Sequence, residues 1–497
     1  MSADSPPCES CVDVLIIGAG ISGIGAAWHL QRRCPSRSFR IVEARADLGG
    51  TWDLFRYPGI RSDSDLYTFG YEFKPWRARQ AIADGASIKA YLAQTVHENA
   101  LDRHIDYRKR VIEAQWCTAQ RRWEVTLKDE DTGERSLVRA RWVFNAAGYY
   151  RYDQGHVPAF ADQERFRGPI VHPQHWPQEL DCSGLRVVVI GSGATAVTLV
   201  PALARQAAHV TMLQRTPSYI LPVPVEDSMA PRLRSWLGER RAYALTRRLN
   251  ISRQRWVYTL CRRHPKLARR VIRAVNARML PKGYPVDLHF NPPYDPWEQR
   301  LCVVPGGDLF KAISAGTASV VTGHIERFTA SGVLLTTGEH VEADLVVTAT
   351  GLSLNPLGGI PMLIDGRAIR PADHVTFKGM LLSDLPNMAF AVGYTASSWT
   401  LKIGLLCEHF CRLLEHMERN GLEVCTPRTE AGMRTRPLLD FGAGYVQRSV
   451  DRLPRQGDRF PWTMSWNYDQ DVKVFRRGRV DDPALDFLPA MPPRAGA

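Results

Sequence analysis

The sequence predicts an α/β chain of two doubly wound domains, and three observations carry that prediction. A strand, a glycine turn and a helix open the chain as VDVLIIG, GAGISG and IGAAWHLQRR. The same pattern returns as LRVVVIG and GSGATA, followed by a helix and the strand HVTMLQ. Between about residues 226 and 285 an arginine-rich helical stretch interrupts the second unit, with Leu260, Leu267, Val271 and Val275 among the basic residues.

In order along the chain, FRIVEA reads as the second strand and ends in Glu43. VIEAQW, RWEVTLK and RARWVFNAAG read as further strands, with DEDTGE as a hairpin turn. Strand signals resume in VEADLVVTATG, and FAVGYTASSWTLKIGLLCEHFCRLLEHMER ends in a long helix. The return of strand pattern after this ATG implies that the C-terminal part completes the first domain. The expected division is 1–150 for the first part of domain one and 151–182 for a linker. Residues 183–350 then form domain two with its helical insert, and 351–497 the second part of domain one plus a C-terminal segment.

With 497 residues, 44% of them hydrophobic, the chain has material for two or three substantial cores. Its first residues, MSADSPPCESC, lack the basic and apolar regions of a secretion signal, and the longest apolar runs are short or glycine-broken. A cytoplasmic protein is the expectation. Ten scattered cysteines suit a reducing compartment. Cys8/Cys11 and Cys407/Cys411 have no partner pair at zinc-motif spacing, so no metal site is predicted. The net charge of +13 is uneven, because residues 231–282 hold 16 Lys and Arg against one acid, Glu239. No nucleic-acid partner is expected. Composition leaves the basic segment open between a solvated helical face and a peripheral contact with an anionic membrane surface, where Trp236 and Trp256 would help capture lipophilic substrates.

The two turns differ where it matters for chemistry. In Gly18-Ala-Gly20-Ile-Ser22-Gly23 the glycines allow a pyrophosphate to approach a helix N-terminus. Glu43, twenty residues beyond Gly23, can accept both hydroxyls of a ribose, which fits FAD or NAD. The second turn runs Gly191-Ser192-Gly193-Ala194-Thr195-Ala196, and its strand ends in Gln214-Arg215-Thr216 without an acid. A carboxylate would repel a 2′-phosphate, whereas Arg215 can pair with it, so this site is predicted to take NADP. One site of each kind implies electron flow from NADPH to a flavin. A disulfide reductase would need a redox CxxxxC or CxxC near the flavin, and neither follows the first unit.

Between the turns lies FRGPIVHPQHWP. With Phe166, Gly168, His172, Trp176 and Pro177 it resembles the FxGxxxHxxxWP fingerprint of type I Baeyer–Villiger monooxygenases, except that Gln178 replaces the usual Asp. GGTWDLFRYPGIRSDSDLYTFGY, NPPYDPWEQRLCVVPGGDLF, TATG and GYTASSWTLK extend the resemblance over nearly the whole chain, toward the branch of ethionamide-activating monooxygenases and long-chain alkane monooxygenases.

What the resemblance implies is specific. Gly18, Gly20, Ser22, Gly23, Glu43, Thr51, Trp52, Leu54, Asp63 and the backbone of Val111 would contact FAD. Arg61, Ser62, Asp63, the turn from Gly191 to Val197, Arg215 and Thr216 would contact NADPH. The family's catalytic arginine matches Arg300 in WEQR, positioned by Asp63; many relatives carry Lys where this chain has Gln299. The implied reaction inserts one oxygen atom of O2 beside a ketone carbonyl, giving an ester or lactone through a flavin C4a-peroxide, with sulfoxidation as a side activity. Two other readings stay open. One is a flavin-containing monooxygenase that hydroxylates long-chain alkanes or oxygenates N or S centres. The other is a non-catalytic membrane-associated flavoprotein. His172 reads as an interdomain hydrogen-bonding group and not as the catalyst.

Overall fold

The computed structural model describes residues 8–299, 301–395, 397–439 and 442–491. The first expected unit forms around a parallel centre, Phe39–Val42 beside Cys8–Ile17 beside Arg135–Asn145, with Ile16 opposite both Ile41 and Phe144. Lys109–Cys117 and Arg122–Asp129 extend it as an antiparallel meander. Late strands complete the sheet: Met362–Ile364 pairs with Lys109–Cys117, and Met388–Phe390 lies parallel to Arg135–Asn145. The strand Phe39–Val42 and the strand Met388–Phe390 therefore share one sheet across most of the chain length. The long helix Trp399–Arg419 covers one face of it, packing against Ile21–Arg33 with Leu405, Leu406, Phe410 and Leu413 fully buried.

The second sheet is wholly parallel, in the order Ala318–Thr322, His209–Gln214, Arg186–Ile190, Leu345–Thr348, Ile170–Val171. Val187, Val188, Val189, Val346 and Val347 are buried, as expected for strands covered on both faces. Its edge strand Ile170–Val171 comes from within 151–182. That segment is thus part of the second sheet as well as a connection.

The basic insert forms three helices, Ala230–Leu237, Glu239–Arg263 and Pro265–Met279. In the last of these Ala268, Ile272 and Asn276 face inward, while Leu267 and Val271 face out. The insert belongs to the second unit by sequence, and its last helix packs there against Tyr219 and Leu301, but its middle helix rests on the first unit. Buried Arg247 donates from Nη1 to the carbonyls of Tyr67, Thr68 and Gly70, capping the short helix Leu66–Phe69 with a positive charge. Tyr243 donates to the Tyr71 carbonyl, and Asn250 and Gln254 both donate to the Asp65 carboxylate. Among the described residues no helix is long and apolar enough to cross a membrane.

Candidate active site

Between the two sheets and the insert lies a cavity of about 1320 Å³, more than one drug-sized ligand needs. The first glycine turn forms one end of it. Gly18 takes φ +101°, and a Cβ there would stand 2.8 Å from the Ala146 carbonyl oxygen, so only glycine makes this turn. The 13-residue helix Ile21–Arg33 starts directly after Gly20, with no side-chain cap and no acid in its first turn. Its first N–H groups are therefore available to an anion.

Glu43 is buried beside this turn. Its two carboxylate oxygens accept the Ala19 N–H at 2.8 Å and the Arg45 N–H at 2.9 Å. Burial pushes its carboxyl pKa up, against the pull of those two N–H groups. Each oxygen keeps a lone pair for a ribose hydroxyl. Ser22 Oγ accepts from Trp399 Nε1 at 2.9 Å, which leaves its own proton free to donate. The Trp399 ring stacks on Tyr149 at 5.2 Å, and both line the cavity.

Thr51, Trp52, Leu54 and Val111, all expected on the flavin side, also line the cavity with Gly18, Gly20, Ser22 and Glu43. Gly23 does not. It works in packing: a Cβ there would lie 1.9 Å from the Gly18 carbonyl oxygen.

The loop after Trp52 reaches from the first unit into the second. Leu54, Phe55 and Tyr57 are buried in the second unit's core. Gly59, at φ +78°, presses on the helix Ala194–Leu203; a Cβ would meet Ala202 Cβ at 2.8 Å and the Thr198 carbonyl oxygen at 2.9 Å. Arg61, Ser62 and Asp63 follow on the cavity wall. The Arg61 guanidinium pairs with both carboxylate oxygens of Asp308. Ser62 Oγ donates to the Ser64 carbonyl at 2.8 Å. Arg300 lies outside the described residues. Its neighbours Trp297 and Leu301 line the cavity, and Leu301–Pro305 pairs with Tyr219–Val223.

The second glycine turn is more open. Gly191 takes φ +139° against the Ala349 carbonyl, but nothing lies within 4 Å of a Cβ on Gly193. The helix Ala194–Leu203 again has no side-chain cap and no acid in its first turn. Ala194 and Thr195 reach the cavity. Ala196 and Val197 are fully buried in the core, so their side chains serve packing. Ser192 Oγ donates to the Thr216 carbonyl at 2.9 Å, tying the turn to the strand end. Gln214 is turned away and donates to the His289 carbonyl and to Thr322. Arg215 is exposed, with no ion pair among the described residues. An exposed cation beside an acid-free strand end suits a phosphate.

The two crossings between units run side by side. Arg151 N–H donates to the Ser353 carbonyl and Asn355 N–H to the Tyr149 carbonyl, both at 2.8 Å. The fingerprint segment fastens both crossings. His172 Nε2 lies 3.3 Å from the Gly351 carbonyl oxygen, and Nδ1 accepts the Gln174 N–H at 3.2 Å, which assigns the proton to Nε2. Buried Gln174 donates from Nε2 to the carbonyls of Arg151 and Tyr152, each at 2.8 Å. Gly155 crosses so near the His172 ring that a Cβ would fall 2.0 Å from Cε1. Phe166 is buried near Phe328, and Gly168 sits where a Cβ would strike the Asp344 carbonyl oxygen at 2.2 Å. Burial lowers the His172 pKa.

Sequence reasoning missed a charge cluster at the cavity edge. Buried Asp53 accepts from Arg45 at 2.6 Å and Lys89 at 2.7 Å, with Arg56 at 3.2 Å. Burial pushes its pKa up, but the hydrogen bonds from Lys89 and Arg45 outweigh it and hold the carboxyl below its usual value. The available signal was an acid inside the otherwise apolar run TWDLF. Trp399 and Gln254 were also missed; no local pattern marks residues that meet only across the fold.

Comparison with known proteins agrees with this geometry. Residues 16–77 match the NAD(P)-binding Rossmann-like domain, and residues 81–380 match the flavin-binding monooxygenase-like family. The FAD-containing monooxygenase EthA of Mycobacterium tuberculosis is 51% identical over 96% of this chain and 97% of its own length. The putative FAD-containing monooxygenase MymA of the same species is 48% identical over 98% and 99%. The probable FAD-binding monooxygenase AlmA of an Acinetobacter species is 46% identical over 96% and 97%. Among solved structures, an oxidized steroid monooxygenase bound to NADP shares the fold, with a TM-score of 0.75 at 21% identity over 97% of this chain and all of its own. A cyclohexanone monooxygenase bound to epsilon-caprolactone does so with a TM-score of 0.74 at 22% identity and the same coverage. The chain is a flavoprotein monooxygenase and belongs to the flavin-binding monooxygenase-like family.

Proposed function

We propose that the chain is an FAD- and NADPH-dependent Baeyer–Villiger monooxygenase that converts lipophilic ketones to esters or lactones and oxygenates sulfides as a side activity. The observation that carries this reading is the convergence on one cavity of the acid-ended turn, the Arg61–Asp63 wall and the loop leading into Arg300. Bound FAD, reduced by NADPH, supplies the electrons with which one atom of O2 enters the product and the other leaves as water.

The chain's own residues supply binding, orientation and charge. The N–H groups after Gly20 and Gly193 receive the two pyrophosphates, and Glu43 holds the ribose of the flavin coenzyme. Arg215 pairs with the 2′-phosphate of NADPH. Arg300 places a permanent cation where negative charge develops on oxygen during transfer, and Asp63 orients that guanidinium and offsets its charge. Phe69, Ile82 and Leu233 give the cavity an apolar wall that keeps water away. The reading places the enzyme in the cytoplasm, where thiols such as Cys407 and Cys411 stay reduced.

The test is NADPH oxidation by the FAD-loaded protein against aliphatic, cyclic and aryl ketones and aryl sulfides, with products identified by mass spectrometry. Ester or lactone formation that falls about a hundredfold or more in Arg300→Ala, with FAD still bound, is the expected result. S-oxides or alcohols formed without any ester from a ketone would overturn the reading in favour of an N/S-oxygenating or alkane-hydroxylating enzyme. A yellow protein that oxidises no substrate would overturn it altogether.

A further inference from the structure

The insert presents a surface that the reaction does not use. The helix Glu239–Arg263 buries Tyr243, Arg247, Asn250 and Ile251 against the flavin-side domain. On its outer side Leu245, Leu249, Trp256 and Leu260 fall at helical spacing on a single stripe. Trp256 is 66% exposed, and Trp236 on the preceding helix is 86% exposed. Leu267 and Val271 on the following helix are exposed too. An exposed Trp leaves a large apolar ring in water, and here two stand out from adjacent helices of one insert.

The charge flanking this stripe is predominantly positive. Arg241, Arg248, Arg262, Arg263, Lys266 and Arg270 are exposed, and none has an ion pair among the described residues. Elsewhere in the insert the acids that meet arginines come from outside it, as in Arg255–Asp469 and Arg273–Asp287. An apolar stripe flanked by unpaired cations matches the boundary of a bilayer carrying anionic headgroups: indole and leucine side chains enter the acyl region while guanidinium groups meet phosphate. A nucleic acid would use the cations and leave the apolar stripe in water. A second copy would have to bring acids to a surface of unneutralised charge.

We propose that the outer face of the insert docks the enzyme on an anionic lipid surface. The position of the stripe gives the docking a consequence. Leu249 belongs both to the stripe and to the cavity wall, with Arg253 beside it. The docked face therefore borders the cavity, and a lipophilic substrate would pass from the bilayer to the site with little exposure to water. That substrate path rests on the reaction proposed above; the docking does not.

The test uses the full-length FAD-loaded protein and vesicles of phosphatidylcholine, alone or mixed with phosphatidylglycerol, in co-sedimentation at low and at high salt. Binding to the mixed vesicles at low salt, much reduced at high salt and on pure phosphatidylcholine, is expected. Trp236→Ser/Trp256→Ser and Arg248→Glu/Arg262→Glu should each weaken it about tenfold or more, while FAD content and Tm stay at the wild-type values. Absence of binding at low salt overturns the proposal, as does undiminished binding by both double variants. Retention on duplex DNA without retention on vesicles overturns it in favour of a nucleic acid. An oligomer that these substitutions dissociate, in a protein that ignores vesicles, overturns it in favour of a second copy. Loss of ketone oxidation with vesicle binding intact would instead count against the reaction.

Discussion

The two glycine turns share a pattern and differ in enclosure. The first sits under the long helix Trp399–Arg419, its acid buried and already holding two N–H groups, its Ser22 fixed by Trp399. The second stands open at Gly193, with its cation exposed and its turn tied by Ser192 to Thr216 and Ser218. Enclosure slows dissociation, because leaving requires surrounding groups to move; an open rim with an exposed charge allows fast exchange. On the proposed function, the first site would keep its group through many turnovers and the second would release a coenzyme after each.

The strongest way to break that contrast is to disturb the enclosed turn. In Gly23→Ala the new methyl cannot coexist with the Gly18 carbonyl, so helix and strand must separate, at a cost of about 3 kcal/mol or more. FAD content after purification and Tm should both drop; a yellow, wild-type-stable Gly23→Ala protein would contradict the packing role. Next in size, Arg215→Ala should raise KM for NADPH about tenfold or more and leave that for NADH nearly unchanged, because only one coenzyme carries the 2′-phosphate. Equal losses with both coenzymes would place Arg215 elsewhere in the site. Smaller again is Gly193→Ala, at the position equivalent to Gly20. Its Cβ meets no protein atom, so Tm should hold and only KM for NADPH should rise. A fall in stability there would show that the open turn is closed.

The smallest effect is a pH dependence at the joint between the domains. Burial lowers the His172 pKa, so folding favours the neutral ring, whose Nδ1 accepts the Gln174 N–H. The unfolded ring takes up its proton near 6.5, and the folded ring only at lower pH. The unfolded state therefore binds more protons in that interval, and stability falls as pH drops below about 6.5. Above that value the contribution is constant. Comparing Tm against pH for the wild type and His172→Gln isolates it, since buried His29 and His409, each lowered to about 3, remain in both proteins. Parallel curves would remove His172 from the acid dependence.

Legibility followed distance along the chain. Both glycine turns, and the placing of Glu43 and Arg215 at the strand ends beside them, could be read because a strand, its turn and its helix are neighbours in sequence. The cluster of Asp53 with Arg45 and Lys89 could not, nor could the seating of Gly59 on a helix almost 140 residues later. The basic insert was visible as charge. Composition could not foretell that Arg247 would point inward to cap a helix while Arg248 stays in solvent, since neighbouring positions on a helix face about 100° apart.

By itself the sequence determined the two doubly wound units, the difference between their turns and the closing of the first sheet by the C-terminal part. Each follows from hydrophobic period, glycine geometry or the charge of a nearby residue. The tertiary structure decided the rest: the shared cavity, the clasp of His172 and Gln174 on both crossings, and the outward stripe beside Leu249. These depend on groups brought together by packing from separate segments. No local preference encodes such a meeting.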